Sequence, residues 1–198
     1  MKTLPAFLAG ALLAFSALAQ VLGPEELVKT VTADVLGAIQ GDKALQSGDR
    51  AKALALAEEK VLPHVDFEEA TRIAVGRAWP TASPEQQQEL VRQFRAMLVR
   101  IYSSAIDVYR GQTMQVRPVK LDPGATEVTV RNQYVKPGQA PVAVDYAMRK
   151  TPEGWKIYDI TVEGVSLVLT YRAEFDQIVR ASGVDGLIRR MTEKNRPA

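Results

Sequence analysis

Apolar residues recur at helical spacing through the first half of the chain and at alternate positions through much of the second. Leu27, Val31, Val35 and Ile39 stand four apart behind Pro24, Glu25 and Glu26, which predicts an opening amphipathic helix. A second helix is predicted from about Asp49 to Leu62, ended by Pro63. A third starts at Asp66, with Glu69 in the capping-box position, and stops near Gly76. The fourth has Ser83 as N-cap, Pro84 as first helical residue and Gln86 as capping-box partner. Leu90, Phe94, Met97, Leu98, Ile101, Ala105, Val108 and Tyr109 follow on its apolar side, and Gly111 closes it. From Pro84 to Arg110 this helix spans about 40 Å.

Beyond Gly111 the period changes to two. Turns are predicted at Asp122-Pro123-Gly124-Ala125, Lys136-Pro137-Gly138-Gln139 and Thr151-Pro152-Glu153-Gly154. They separate strand-like runs at about 113–121, 126–135, 141–150 and 155–163. Val128, Val130 and Tyr134 share one face of a strand; Val142, Val144, Tyr146 and Met148 share a face of the next. Short connections make neighbours antiparallel, so a four-stranded meander is expected. Two closing helices follow, Leu167 to about Ser182 and about Asp185 to Glu193. The fold class is α+β, helices packed on an antiparallel sheet.

The ends and composition narrow the setting. Residues 1–19 read as a secretory signal: Lys2, an uncharged apolar run from Leu4 to Leu18, and Ala17-Leu18-Ala19 as a cleavage pattern. Cleavage after Ala19 would release a single exported domain, 20–198. The chain has no Cys, so core packing rather than disulfides must stabilise it, and 46% hydrophobic residues allow that. The single His64 cannot build a His-rich metal site. A formal net charge of +2, spread along the chain, gives no footprint for nucleic acid.

Catalytic signatures are missing: no G-x-S-x-G elbow, H-E-x-x-H or Gly-rich phosphate loop. Asp145 and Asp159 each adjoin a tyrosine, Tyr146 and Tyr158. Neighbours on a strand point to opposite faces, so with the apolar set inward both carboxylates are expected to face out. Glu163 is expected to cap backbone N–H groups of the next helix. Gly164 should supply an unusual backbone conformation, and Ser166 an N-cap. Trp79 reads as a packing residue and His64 as a surface or locally bonded one.

Trp155 to Tyr171, W-K-I-Y-D-I-T-V-E-G-V-S-L-V-L-T-Y, joins an alternating strand to a strongly apolar run. Its Y-D-x-x-x-E-G-V-S core resembles the MlaC (toluene-tolerance) family of periplasmic phospholipid-binding proteins. Tyr109-Arg110-Gly111-Gln112-Thr113 and the G-V-D-G-L of residues 183–187 support the resemblance, which spans nearly all of the chain after the signal. It implies a cone similar to nuclear transport factor 2, with a curved sheet and helices around a deep apolar pocket. It implies phospholipid as cargo, no cofactor and no catalysis. The implied partners are an inner-membrane ABC transporter complex with an MCE-domain ring and an outer-membrane lipoprotein–porin complex, served by a monomer.

The expected lipid-binding residues are Leu98, Ile101, Tyr102 and Ala105 from the long helix, and Val130, Val144, Tyr146 and Met148 from the middle strands. Tyr158, Ile160, Val162, Val165 and Val168 complete the set around the junction. About thirty methylenes at about 0.8 kcal/mol each make exposure of two acyl chains cost on the order of 25 kcal/mol, so both must be enclosed. A ligand-filled pocket is not the only reading of apolar faces. An enzyme of the same cone class, needing an inward carboxylate, and a filled-core adaptor are the alternatives.

Overall fold

The structure is a computed structural model that describes residues 22–102 and 112–196. Helix α1 (Pro24–Gly41) opens with proline and two acids in its first turn. A short α2 (Lys43–Ser47) and α3 (Arg50–Lys60) follow, capped by Asp42 and Asp49, whose carboxylates accept from the first free backbone N–H groups. Pro63 closes the segment in a 3-10 turn. Helix α4 (Phe67–Val75) starts on Asp66, but its capping box is half made. Asp66 accepts from Glu69 N at 2.9 Å, while the Glu69 carboxylate turns to Arg72 and Arg149 and Asp66 N donates to Ile157 O.

Helix α5 (Pro84–Tyr102) has the complete box: Gln86 N donates to Ser83 Oγ and Ser83 N to Gln86 Oε1. Its expected continuation through Ala105, Val108, Tyr109 and Arg110 to Gly111 lies outside the described residues, as does the expected signal at 1–19.

The sheet is antiparallel in the order β1 (Thr113–Val116), β2 (Glu127–Val135), β3 (Val142–Thr151), β4 (Gly154–Val162) and β5 (Val165–Ser166). Among the described residues, the expected four strands are corrected to five. Glu163 and Gly164 both take positive φ, 48° and 80°, and turn the chain back so that Val165 pairs with Val162. Two left-handed residues in a two-residue loop match the type I′ hairpin, whose twist suits paired strands. The helix expected from Leu167 therefore begins later: a 3-10 turn (Leu169–Tyr171) leads into α6 (Arg172–Asn195). Non-helical Ser182 and Gly183, the latter at φ 69°, divide α6 near the expected break between closing helices.

Among the described residues, three apolar clusters hold the fold. Leu27 and Val28 of α1 pack on the sheet face formed by Val130, Tyr134, Val144, Tyr146, Met148, Trp155 and Ile157. Helices α4, α5 and α6 join around Leu90, Phe94, Met97, Phe175 and Leu187, with Trp79 packed alongside. Phe94, Tyr171 and Phe175 meet there at ring-centroid distances of 5.3 to 5.6 Å. The far end of α1 makes the third cluster with α2 and α3.

Candidate functional site

The clusters leave a cavity of about 230 Å³ between them. One side is α1, through Leu27, Val28, Val31, Thr32, Val35 and Leu36. Ala57, Val61, Leu62 and Val65 follow from α3 and the turn after it, with Phe67 and Ala70 from α4. Leu98, Val99 and Tyr102 come from the end of α5. Tyr134, Tyr146, Ile157, Tyr158, Asp159 and Ile160 form the sheet wall, and Leu167 and Val168 close it. Nearly every contact this wall offers is aliphatic or aromatic, so a ligand inside would be held by exclusion from water rather than by charge.

Of the residues expected from sequence, Leu98, Tyr102, Tyr146, Tyr158, Ile160 and Val168 line this cavity. Val130, Val144 and Met148 do not, because they are spent in the contact between sheet and α1. Val162 lies beside that same cluster. Val165 is 55% exposed because the β5 hairpin turns it out, and Ile101 is 42% exposed on α5. Ala105 is outside the described residues. The α1 and α3–α4 walls were not anticipated. The signal was the width of the α1 stripe: Val28 and Leu36 flank Leu27, Val31 and Val35, all five line the cavity, and Leu27 and Val28 also meet the sheet.

Asp159 corrects the expectation that its carboxylate faces away. The register slips between Ala147 and Met148, which pair with Asp159 and Ile157, so Tyr158 is an extra residue in β4. Such a bulge breaks the strict alternation of faces, and both Tyr158 and Asp159 reach the cavity. The carboxylate is already engaged. Oδ1 accepts from Ile160 N at 2.8 Å and Val168 N at 3.1 Å, and Oδ2 accepts from Ser166 Oγ at 2.5 Å. Asp159 thus fastens the β5 turn to β4. Asp145 stays on the other face, 4.0 Å from Arg131.

Glu163 also departs from expectation. Its Oε1 accepts from Ala143 N on β3, and its own N–H donates to Ala143 O, so it clamps a strand rather than capping a helix. Ser166 does cap: its Oγ accepts from Leu169 N at 2.9 Å. The Tyr134 and Tyr146 hydroxyls meet at 2.8 Å on the cavity floor, which lets two buried phenols sit in an apolar wall. Burial and the bond to Tyr102 push the Tyr171 hydroxyl far above its ordinary pKa, so it stays a neutral donor. Tyr158 is raised by burial and by nearby Glu127, Glu69 and Asp159. Among the described residues no cluster of His, Asp or Glu could hold a metal ion, and no helix is long and apolar enough to cross a membrane.

This geometry, an apolar cavity between a bulged sheet and helices with the E-G-V-S turn at its edge, has counterparts. The family model described as MlaC protein matches residues 29–193. The chain belongs to the MlaC family. It is 23% identical over 173 residues to the intermembrane phospholipid transport system binding protein MlaC of Haemophilus influenzae, covering 86% of this chain and 81% of that one. Over 169 residues it is 27% identical to toluene tolerance protein ttg2D of Pseudomonas putida, with 82% and 75% covered. Among solved structures, the phospholipid-binding protein from Ralstonia solanacearum in complex with a phospholipid matches with a TM-score of 0.79 and 38% sequence identity. That match covers 88% of this MlaC-family chain and 97% of the other.

Proposed function

We propose that this protein is a non-catalytic phospholipid carrier that encloses acyl chains in the cavity and leaves the headgroup near solvent. The observation that carries the reading is the cavity's lining, apolar apart from hydroxyls and one carboxylate that is fully engaged. The relatives' names, which speak of phospholipid transport and phospholipid binding, support the same class of ligand. Residues 1–19 act as a signal cleaved after Ala19, and 20–198 work in the periplasm as one monomeric domain without a cofactor. The carrier takes lipid between an outer-membrane lipoprotein–porin complex and an inner-membrane ABC transporter complex with an MCE-domain ring. Enclosure suits that task, because chains on the open surface would cost on the order of 25 kcal/mol, whereas non-covalent affinity saturates near about −20 kcal/mol and a carrier must release its cargo.

Val31 lines the cavity from α1, whereas Val165 projects into solvent. Val31→Trp should fill the space and reduce the phospholipid extracted per mole of purified protein at least severalfold, with Val165→Trp unchanged. A folded Val31→Trp variant with normal lipid content would refute this placement of the chains.

A further inference from the structure

We infer that Arg95 is a phosphate-binding point at the edge of the cavity, holding the phosphodiester of the enclosed lipid's headgroup; this rests on the carrier reading above. Arg95, Leu98, Val99 and Tyr102 follow the i, i+3, i+4, i+7 spacing of one helix face. The last three line the cavity, and exposed Arg95 stands one turn before them on the same helix face. Its guanidinium lies 5.5 Å from the centroid of the Phe67 ring, and Phe67 is itself part of the wall.

Arg95 is exposed and has no carboxylate within ion-pair distance among the described residues. Its neighbours on α4 and α5 differ: Arg72 is held by Glu69 and Arg92 by Glu89. The contact with Phe67 positions the guanidinium beside the cavity wall without a carboxylate to neutralise it. Two parallel N–H donors fit two oxygens of a phosphate. A phosphodiester is common to phospholipids of many headgroup alcohols and missing from diacylglycerol. The site therefore selects for phosphate while tolerating the alcohol.

The test uses the delipidated full mature chain and two probes with identical acyl chains, phosphatidylglycerol and diacylglycerol, each displacing a fluorescent fatty acyl reporter. The wild type should prefer phosphatidylglycerol by about tenfold, the scale of one charge-assisted hydrogen bond. Arg95→Gln should erase the preference with diacylglycerol binding and melting temperature unchanged. Arg95→Lys should keep part of it, and Arg100→Gln, on the same helix but off the stripe, all of it. An undiminished preference in Arg95→Gln, or none in the wild type, overturns the inference. So does binding of inorganic phosphate alone by the wild type and not by Arg95→Gln, which would make this a free-anion site. Failure of the wild type to bind either lipid would overturn the carrier reading instead.

Discussion

Three hydrogen bonds converge on the Asp159 carboxylate, from Ser166 Oγ, Ile160 N and Val168 N, and together they fasten the β5 turn to β4 beside the cavity. Removing the acceptor strands two backbone donors, so Asp159→Ala should lower unfolding free energy by about 2 kcal/mol in urea titration. A loss below about 0.5 kcal/mol would contradict that role. Gly164 illustrates a purely conformational requirement: a Cβ there would meet nothing within 4 Å, yet φ is +80°. Gly164→Ala should cost about 1 kcal/mol through backbone strain alone. Glu69 responds to pH. The hydrogen bond from Arg72 and the charges of Arg72 and Arg149 hold its carboxyl below its ordinary value of 4.5, against the opposing effect of burial. A pKa depressed on folding stabilises the protein above the unfolded value and loses that contribution as pH falls through the folded one. Unfolding followed from pH 7 downward should therefore show a shallower acid limb in Glu69→Gln, with the gap from wild type closing below about pH 4.5. A gap of constant size would show that the charge is not the source.

Elements with a local physical cause were legible in the sequence. Proline and acids mark the start of α1, a full capping box marks α5, and Pro-Gly turns space β2, β3 and β4, so these followed from the chain itself. The bulge at Tyr158 and the hairpin at Glu163-Gly164 were not, because each is set by pairing with a neighbouring strand rather than by local propensity. The same holds for the cavity walls. An apolar stripe does not say whether it meets a side chain or a space, and Met148 and Tyr146, two residues apart on one strand face, divide between those outcomes. Leu27 and Leu90 make the difference measurable. Both are buried, but Leu27 borders the cavity whereas Leu90 is fully packed at 0% exposure. Leu90→Ala should cost about 4 kcal/mol and Leu27→Ala about 2, since a side chain with space beside it forfeits fewer contacts. Equal losses in denaturant unfolding would argue for solid packing around Leu27.

At the scale of the molecule, three apolar clusters among the described residues meet without fusing, and the cavity is the space where they fail to close. An engineered void of about 150 Å³ takes one benzene. At about 230 Å³ this cavity therefore holds a fraction of one fatty tail, and enclosing a diacyl lipid requires its walls to part. Boundaries between clusters are where such parting disrupts the fewest buried contacts. Native mass spectrometry of the protein purified from a membrane-containing cell asks whether it carries lipid. A phospholipid carrier should show a stable added mass that fragments to phospholipid. Apoprotein alone, together with no uptake when the purified chain is offered phospholipid vesicles, would contradict it.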